Sequence, residues 1–497
     1  MAETLRQHHQ ARPAPYDFTG GLRVPGARRT RGQPVQQAPL AQWYRLPLHH
    51  GTHRLRARVQ AGDQVKRGDL LADGEVCLHA PTSGTIHGIF QGPALHPAAT
   101  SVPTLHLQAD GQDLQRRTEP PRLPTAPAER ALALQQLLHH CGIVGLGGAG
   151  YPAWRKLSKA LTQQQSGIHA LIINAVESEP EICSDEALLR DDADGVIDGA
   201  ARLCRLLGIG QCLVALAQDN HDGLNALQGA LSRRPDGDPA FSLWLVGDKY
   251  PAGSERQLIQ SLTGIQLTGS AHPTDIGYLC HNPGTLHAMQ RALTQGRPLT
   301  ARLLTITGPA VAEPWHGWVR IGHPLQALLT ELGIAWPQQC ELLHGGSLTG
   351  WPLHPDAVVG KESYGLILRE RPAPPTLPCI RCSACTDICP AGIDPQTMWQ
   401  YSDPWHPDIL DKAGLDDCLK CGACDLVCPS ALPLTARFRW AQTERWQARE
   451  VDQRAALARQ RYERHQQRLA AADAAARQRR EARLERLGKR RPEDWLD

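Results

Sequence analysis

Eight of the fifteen cysteines in this chain stand in two copies of one pattern. Cys379, Cys382, Cys385 and Cys389 run into Pro390; Cys418, Cys421, Cys424 and Cys428 run into Pro429. Each copy reads C-x2-C-x2-C-x3-C-P, a spacing at which three thiolates on a tight loop cap three corners of a 4Fe–4S cubane. The turn carries the fourth cysteine away, and it reaches the other cluster. The motif therefore assigns cluster one to Cys379, Cys382, Cys385 and Cys428, and cluster two to Cys418, Cys421, Cys424 and Cys389. Structural zinc usually pairs two C-x2-C knuckles across a longer gap, without a third cysteine or a C-P ending. Disulfides would need an oxidising compartment, which nothing in the sequence suggests. The chemistry on offer is one-electron transfer.

A second constellation lies in the middle of the chain. Gly145-Leu-Gly-Gly-Ala-Gly-Tyr-Pro152 holds four glycines within six residues. Glycine permits φ > 0, so such a loop can bring bare N–H groups against a phosphate. Pro152 favours the first helical position, and the positive end of a helix starting there, with Lys156 one turn in, suits an anion. About two dozen residues on comes Asn174-Ala-Val-Glu-Ser-Glu-Pro180. Two carboxylates and an amide at the C-terminal end of a strand sit where α/β folds bind ligands. A glycine turn without a ligand and a pair of solvated carboxylates are the plain alternatives.

The elements around these residues follow from periodicity. Leu171–Asn174 and Cys212–Leu216 read as buried strands, and Glu186–Leu207 and Gly223–Ser232 as helices. Their alternation predicts an α/β domain with a largely parallel sheet. Upstream, Val59–Ala72 and His79–Gly88 alternate in short runs broken by glycine, the pattern of a small β-sandwich. Arg116–Ala128 is proline-rich and reads as a linker. Downstream, Arg302–Gly308 and Trp318–Ile321 open a compact α+β piece with a helix at Pro324–Leu332. Thr435–Gly488 is a long polar helix with few apolar residues to anchor it, expected to be mobile or bound to a partner.

Composition bounds the rest. A chain of 497 residues exceeds one core and predicts three or four domains. No apolar run is long enough to span a bilayer, and the first fifteen residues are polar and His-rich, without the apolar stretch of a signal peptide. A cytoplasmic protein is expected. The net charge of +3 is uneven: residues 433–497 hold seventeen Lys and Arg against ten Asp and Glu. No aromatic interleaving points to nucleic acid. The seven cysteines outside the motif, scattered singly, read as core filler.

At this point the motifs resemble a family. Gly145–Leu157 is similar to the GxGGAGFPxxxKL loop that holds FMN in the flavin subunit of respiratory complex I and in its relative RnfC/RsxC. Asn174–Pro180 resembles the NADESEP or NGAECEP turn of those proteins. Tyr250–Leu258 resembles their YxxGEExxL element, and Asn282–Thr285 their NxxT element. Gly20–Pro25, the sandwich and the twin cysteine motif match RnfC specifically. The likeness runs from about Phe18 to Leu432. Val176 stands where complex I has Asp, and Gly345–Gly350 departs from the GGPMMG run of many RnfC proteins.

The resemblance implies a multidomain α/β and α+β chain. Residues 1–41 form an N-terminal segment and 42–115 a biotinyl/lipoyl-like barrel-sandwich hybrid. Residues 116–128 are the linker, 129–300 a Rossmann-like FMN/NADH-binding domain, and 301–366 a β-grasp (SLBB-like) module. A helical bacterial-type ferredoxin domain with two 4Fe–4S clusters follows at 367–432, and the basic helical tail at 433–497. Gly74–Leu78 has no lysine to carry a swinging arm, so a docking or structural role is expected of the sandwich. By the same resemblance, Gly145, Gly147, Gly148 and Gly150 wrap non-covalent FMN beside Lys156. Asn174 meets the isoalloxazine edge, Asn282 and Thr285 hold the phosphate end, and Tyr151 stacks on nicotinamide. Glu177, Glu179 and Glu255 approach NAD(H). No residue acts as acid or nucleophile, and the flavin lies a short hop from cluster one. The implied protein is a peripheral subunit on the cytoplasmic side of the bacterial inner membrane. Its partners are the other subunits of a membrane-embedded Rnf/Rsx complex, a ferredoxin-like one among them, which couple electron transfer to ion movement. Two other readings stay open: a non-catalytic polyferredoxin-like relay or scaffold, and a system that keeps a redox-sensing transcription factor reduced.

Overall fold

A computed structural model describes residues 11–24, 28–51, 53–96, 100–162, 167–235, 238–269, 271–371, 376–403 and 405–488. Of the segments read above, residues 1–10, Pro25 and 489–497 lie outside the described residues. The chain divides into two units, 1–396 with 416–435, and 397–415 with 436–497.

The first unit opens with a four-stranded antiparallel sheet. Its strands are β1 (Trp43–Pro47), β2 (Gln64–Val65), β3 (Gly84–Pro93) and β4 (Ser101–Ala109), in the order β1-β4-β3-β2. Helices α1 (Pro127–His140) and α2 (Ala153–Thr162) lead into a parallel sheet. That sheet comprises β5 (Ala170–Ala175), β6 (Gln211–Ala217), β7 (Ala240–Val246) and β8 (Tyr278–His281). Between them run α3 (Ser184–Leu207), α4 (His221–Ser232) and α5 (Glu255–Thr263), and α6 (Pro283–Gln295) follows β8. The order is β7-β6-β5-β8, with Arg12–Pro13 added beside β7.

Packing explains these strands. Leu171, Ile172 and Ile173 are all fully buried, so β5 up to Asn174 is an apolar run with no solvent face. Each such side chain contributes about 1.5–3 kcal/mol by leaving water. α3 stops at Gly208 and α6 at Gly296, both left-handed residues that let the chain turn off the helix. One continuous core joins the sandwich leucines Leu46, Leu105 and Leu107 to Leu138, Leu171 and Leu203 of the α/β layers.

A mixed sheet completes the unit: β9 (Ala301–Thr307), β10 (Trp315–Arg320), β11 (Cys340–His344) and β12 (Gly365–Glu370), with α7 (Leu325–Glu331). Its order is β11-β12-β9-β10, with Gln36–Gln37 on the far edge of β10. The N-terminal segment thus adds an edge strand to each of two sheets. The cysteine motifs are loops that run into two short helices, α8 (Ala384–Asp387) and α9 (Ala423–Val427). The seven scattered cysteines are all buried.

In the second unit, Trp405 meets Trp440 edge-on at 5.8 Å, and Arg437 pairs with Asp403 at 3.1 Å. These contacts hold the start of α10 (Leu434–Gly488). From Val451 to Arg486 every side chain of that helix is exposed.

Candidate functional site

The glycine loop is closed on itself. Gly145 N–H donates to the Tyr151 carbonyl at 2.8 Å, and Gly150 N–H to the Gly145 carbonyl at 3.2 Å. The Thr285 hydroxyl accepts from Leu146 N–H at 2.9 Å and donates to Asn282 Oδ1 at 2.5 Å. Asn282 also caps α6 by accepting Thr285 N–H at 3.0 Å, and its Nδ2 donates to Asp185 at 3.2 Å. Arg302, buried in β9, donates to the Leu146 carbonyl at 2.9 Å. Asn282 and Thr285 therefore hold the loop itself, with Thr285 fully buried beneath it.

What the loop leaves open is informative. Among the described residues, the N–H groups of Gly147, Gly148 and Ala149 find no acceptor. Three successive uncommitted amides form an anion-binding concavity, which fits a phosphate. Gly148 has φ +102°, and a Cβ there would stand 2.4 Å from the Tyr364 ring. Only glycine fits.

The turn after β5 meets the Tyr250–Ser254 turn. Asn174 Nδ2 donates to the Gly253 carbonyl at 2.9 Å, and a Cβ on Gly253 would meet the Val176 and Glu177 carbonyls at 2.6 Å. Lys156 donates to Glu255 at 2.5 Å and to the Cys280 carbonyl at 2.6 Å, so α2 is tied to the start of α5. Tyr151, at the loop's end, is 38% exposed. Burial raises its phenol pKa.

Glu177 and Glu179 point inward. Glu177 Oε1 accepts from Asp185 N–H at 2.7 Å and Glu186 N–H at 3.1 Å. Its carboxylate thus caps α3, whose N-cap residue Cys183 makes no side-chain cap bond. Burial, and then the Asp185 carboxylate, push Glu177 well above the usual carboxyl range. Glu179 is 1% exposed. It accepts from Leu348 N–H at 3.2 Å, Thr349 N–H at 3.1 Å and the Thr349 hydroxyl at 2.5 Å. Burial raises it to about 7 against those bonds. Gly345–Gly350, the run that departs from the resembled family, is the loop that grips it.

The two cysteine loops share one backbone. Arg381 and Ser383 have φ +56° and +63°; Lys420 and Gly422, at the matching places, have +57° and +75°. Arg381 N–H donates to Cys379 Sγ at 3.4 Å, and Lys420 N–H does the same for Cys418. Left-handed turns that aim amides at cysteine sulfur suit a cluster with charged sulfurs. Cys389 lies close enough to Cys418 and Cys421 that its charge raises both thiols, and burial raises them more, to about 11 and about 12. Leu377 N–H donates to the Ser430 carbonyl at 2.9 Å and Ser430 Oγ to the Pro378 carbonyl at 2.9 Å, which sets the Cys428 turn beside Cys379. The Cys389 end of the first motif thus meets the second motif, and the turn after Cys428 meets the start of the first. Among the described residues, no three His, Cys, Asp or Glu side chains gather closely enough to hold a single metal ion.

The α/β domain and the N-terminal segment pack on the second loop and on the end of the first. The Tyr250 hydroxyl donates to the Cys421 carbonyl at 2.5 Å, and Gln257 to the Pro390 carbonyl at 3.1 Å. Gly21 N–H donates to the Ile388 carbonyl at 2.8 Å, and a Cβ on Gly20 would meet the Cys389 carbonyl at 2.5 Å. A Cβ on Gly422 would meet the Leu348 carbonyl at 2.2 Å, whereas Ser383 fills the matching place in the first copy. These contacts all touch segments that carry Cys389 and Cys421, while Cys379 and Cys382 are exposed.

Comparison with known proteins gives the lineage. Residues 16–112 match the RnfC barrel sandwich hybrid domain, 138–291 the Nuo51 FMN-binding domain, and 378–433 the 4Fe-4S dicluster domain. A Salmonella gallinarum relative is the C component of an ion-translocating oxidoreductase complex; the chain is 37% identical to it over 465 residues, 91% of its own length, and covers 68% of that protein. The chain belongs to the RnfC family. The Pseudomonas aeruginosa member of the same name is 38% identical over 463 residues, and the chain spans 58% of that protein's length. A crystal structure of an NAD+-reducing NiFe hydrogenase in the H2-reduced state superposes with a TM-score of 0.43, at 19% identity over 63% of each chain.

This RnfC-type site also uses residues that sequence reading passed over. Asp185, Arg302 and Tyr364 support the glycine loop, and Arg31 holds Glu186, the second residue capped by Glu177, at 3.0 Å. None carried a local signal, because each acts across more than ninety residues of sequence.

Proposed function

We propose that the protein is the peripheral electron-transfer subunit of an ion-translocating oxidoreductase complex. It exchanges electrons with NAD(H) at FMN and relays them through two 4Fe–4S clusters to membrane-embedded partners. The observation that carries this reading is the union, in one folded unit, of a loop with three free amides and two cysteine loops bound to its domain through Tyr250 and Gln257. When bound, a flavin supplies the conversion between hydride pairs and single electrons.

The protein's own residues hold, orient and shield. Gly147, Gly148 and Ala149 would bind phosphate through N–H groups, with Gly145 and Gly150 closing the loop and Asn282 and Thr285 fixing it from below. The Tyr151 ring offers a face for stacking. Asn174, Lys156 and Glu255 brace the turns beside the site, while Glu177 and Glu179 set its frame from within. The eight cysteines would hold the clusters in the crossed pairing. No helix among the described residues is long and apolar enough to cross a membrane. We place the protein on the cytoplasmic face, associated with the membrane through partner subunits that carry out the ion movement.

Anaerobic cofactor analysis tests the reading. The isolated chain should carry releasable FMN and about eight iron atoms, and NADH should bleach the flavin. Gly148→Val should lose flavin and keep iron. Iron without flavin in the unaltered chain would favour the relay reading; zinc in place of iron would overturn both.

A further inference from the structure

The sandwich, the α/β layers and the mixed sheet enclose a cavity of about 410 Å³. Six arginines line it against two carboxylates, Asp113 and Asp185. Most of those charges are spent. Arg67 and Arg320 share Asp113, with Arg320 at 2.8 Å. Arg302 donates to backbone carbonyls, and Arg116 pairs with Asp69 at 3.5 Å. Arg291 and Arg297 remain. Among the described residues, neither guanidinium makes a hydrogen bond or an ion pair. Asp192, the carboxylate nearest Arg291 in effect, is committed to His287 at 3.1 Å and Gly195 N–H at 2.8 Å.

Positive charge thus accumulates in a partly desolvated space. Burial and the crowding of Arg297, Arg320 and Arg67 hold the Arg291 pKa below the usual arginine range. Like charges so placed are costly unless an anion joins them. Guanidinium groups fit phosphate oxygens in pairs, and several converging from different walls suit a multiply charged group. Trp318 and His287, with ring centres 5.6 Å apart and planes tilted by 36°, supply an aromatic wall. An adjoining cavity of about 630 Å³ shares Arg291 and Arg297, but its own arginines, Arg233 and Arg234, are paired with Asp194 and Asp198 on the same wall. The first cavity also has a volume typical of small-ligand sites.

We propose that this cavity binds a phosphate-bearing polyanion, with Arg291 and Arg297 as its principal donors. The occupant would sit against Leu146, Asp185, Gly284 and Arg302, the residues that hold the glycine loop, so its presence is felt at that loop. This site is separate from the loop's free amides and does not depend on what they bind.

Calorimetric titration of the full chain at low salt, with pyrophosphate and separately with ADP, tests it. We expect one-to-one binding that weakens with salt. Arg291→Gln combined with Arg297→Gln should weaken it at least about tenfold. Tighter binding of ADP than pyrophosphate would give the Trp318 wall to a base, and equal binding would assign the site to phosphate alone. Should the double variant fail to fold, Arg297→Gln alone gives the same readout with a smaller loss. Absence of binding by either probe, or affinity unaltered in the arginine variants, overturns the proposal.

Discussion

Glu179 carries the clearest pH consequence at the scale of single residues. Its folded pKa, about 7, lies above the ordinary glutamate value of 4.5 because burial outweighs three hydrogen bonds to the ionised form. A carboxyl with a raised folded pKa favours the fold while protonated. That contribution is complete below about pH 4.5 and fades as pH rises through about 7. At 1.36 kcal/mol per pKa unit the loss approaches about 3 kcal/mol. Unfolding midpoints of the native chain should therefore fall between pH 5 and pH 8 relative to those of Glu179→Gln, whatever the offset between them at pH 5. Parallel curves would show that Glu179 does not titrate in this range.

The capping of α3 is an element-scale effect. Cys183 offers its helix no cap, and Glu177 reaches the Asp185 and Glu186 amides from outside it. Glu177→Ala should cost about 1 kcal/mol, as the loss of a cap does, and hydrogen exchange should quicken first at those two amides. Unchanged exchange there would remove Glu177 from this role. The two short cysteine helices carry a second element-scale consequence. Cys389 belongs to the first motif but stands beside Cys418 and Cys421. Cys389→Ala should abolish the EPR signal of the cluster held by the second motif and spare the other; the opposite result would refute the crossing.

These elements also show what the sequence made legible. Strands such as Leu171–Ile173 declare themselves by unbroken apolar runs, and α3 and α4 by helical period. The glycine loop and the cysteine spacings were readable because their chemistry is local. Edge strands of two residues, Arg12–Pro13 and Gln36–Gln37, have no room for a period. The grip of Thr349 on Glu179 spans 170 residues and uses types that are equally common on surfaces. A carboxylate at a strand end gives no sign in sequence of whether it turns inward, as Glu177 and Glu179 do. Spacing names the ligands of each cluster, while only packing shows which parts of the two loops meet Gly20, Leu348 and Tyr250.

For the whole molecule, the question is how much of the chain the fold needs. Seventeen basic residues lie beyond Leu432, but from Val451 to Arg486 every side chain is exposed. A helix that buries no apolar face gains nothing from packing and rests on the high propensities of its Ala, Arg, Gln and Glu residues. The start of α10 differs, since Phe438 and Ala441 are buried and Arg437 lies 5.0 Å from the Trp399 ring centre. Truncation after Glu450 should thus leave the iron and flavin content and the unfolding midpoint unaltered, and only lower the far-ultraviolet helix signal. Truncation after Leu434 should lower the midpoint as well, because it strips Phe438 from its burial site at about 3–5 kcal/mol for a lost core phenylalanine. Equal damage from both truncations would mean that the exposed stretch supports the fold through contacts its exposure does not reveal.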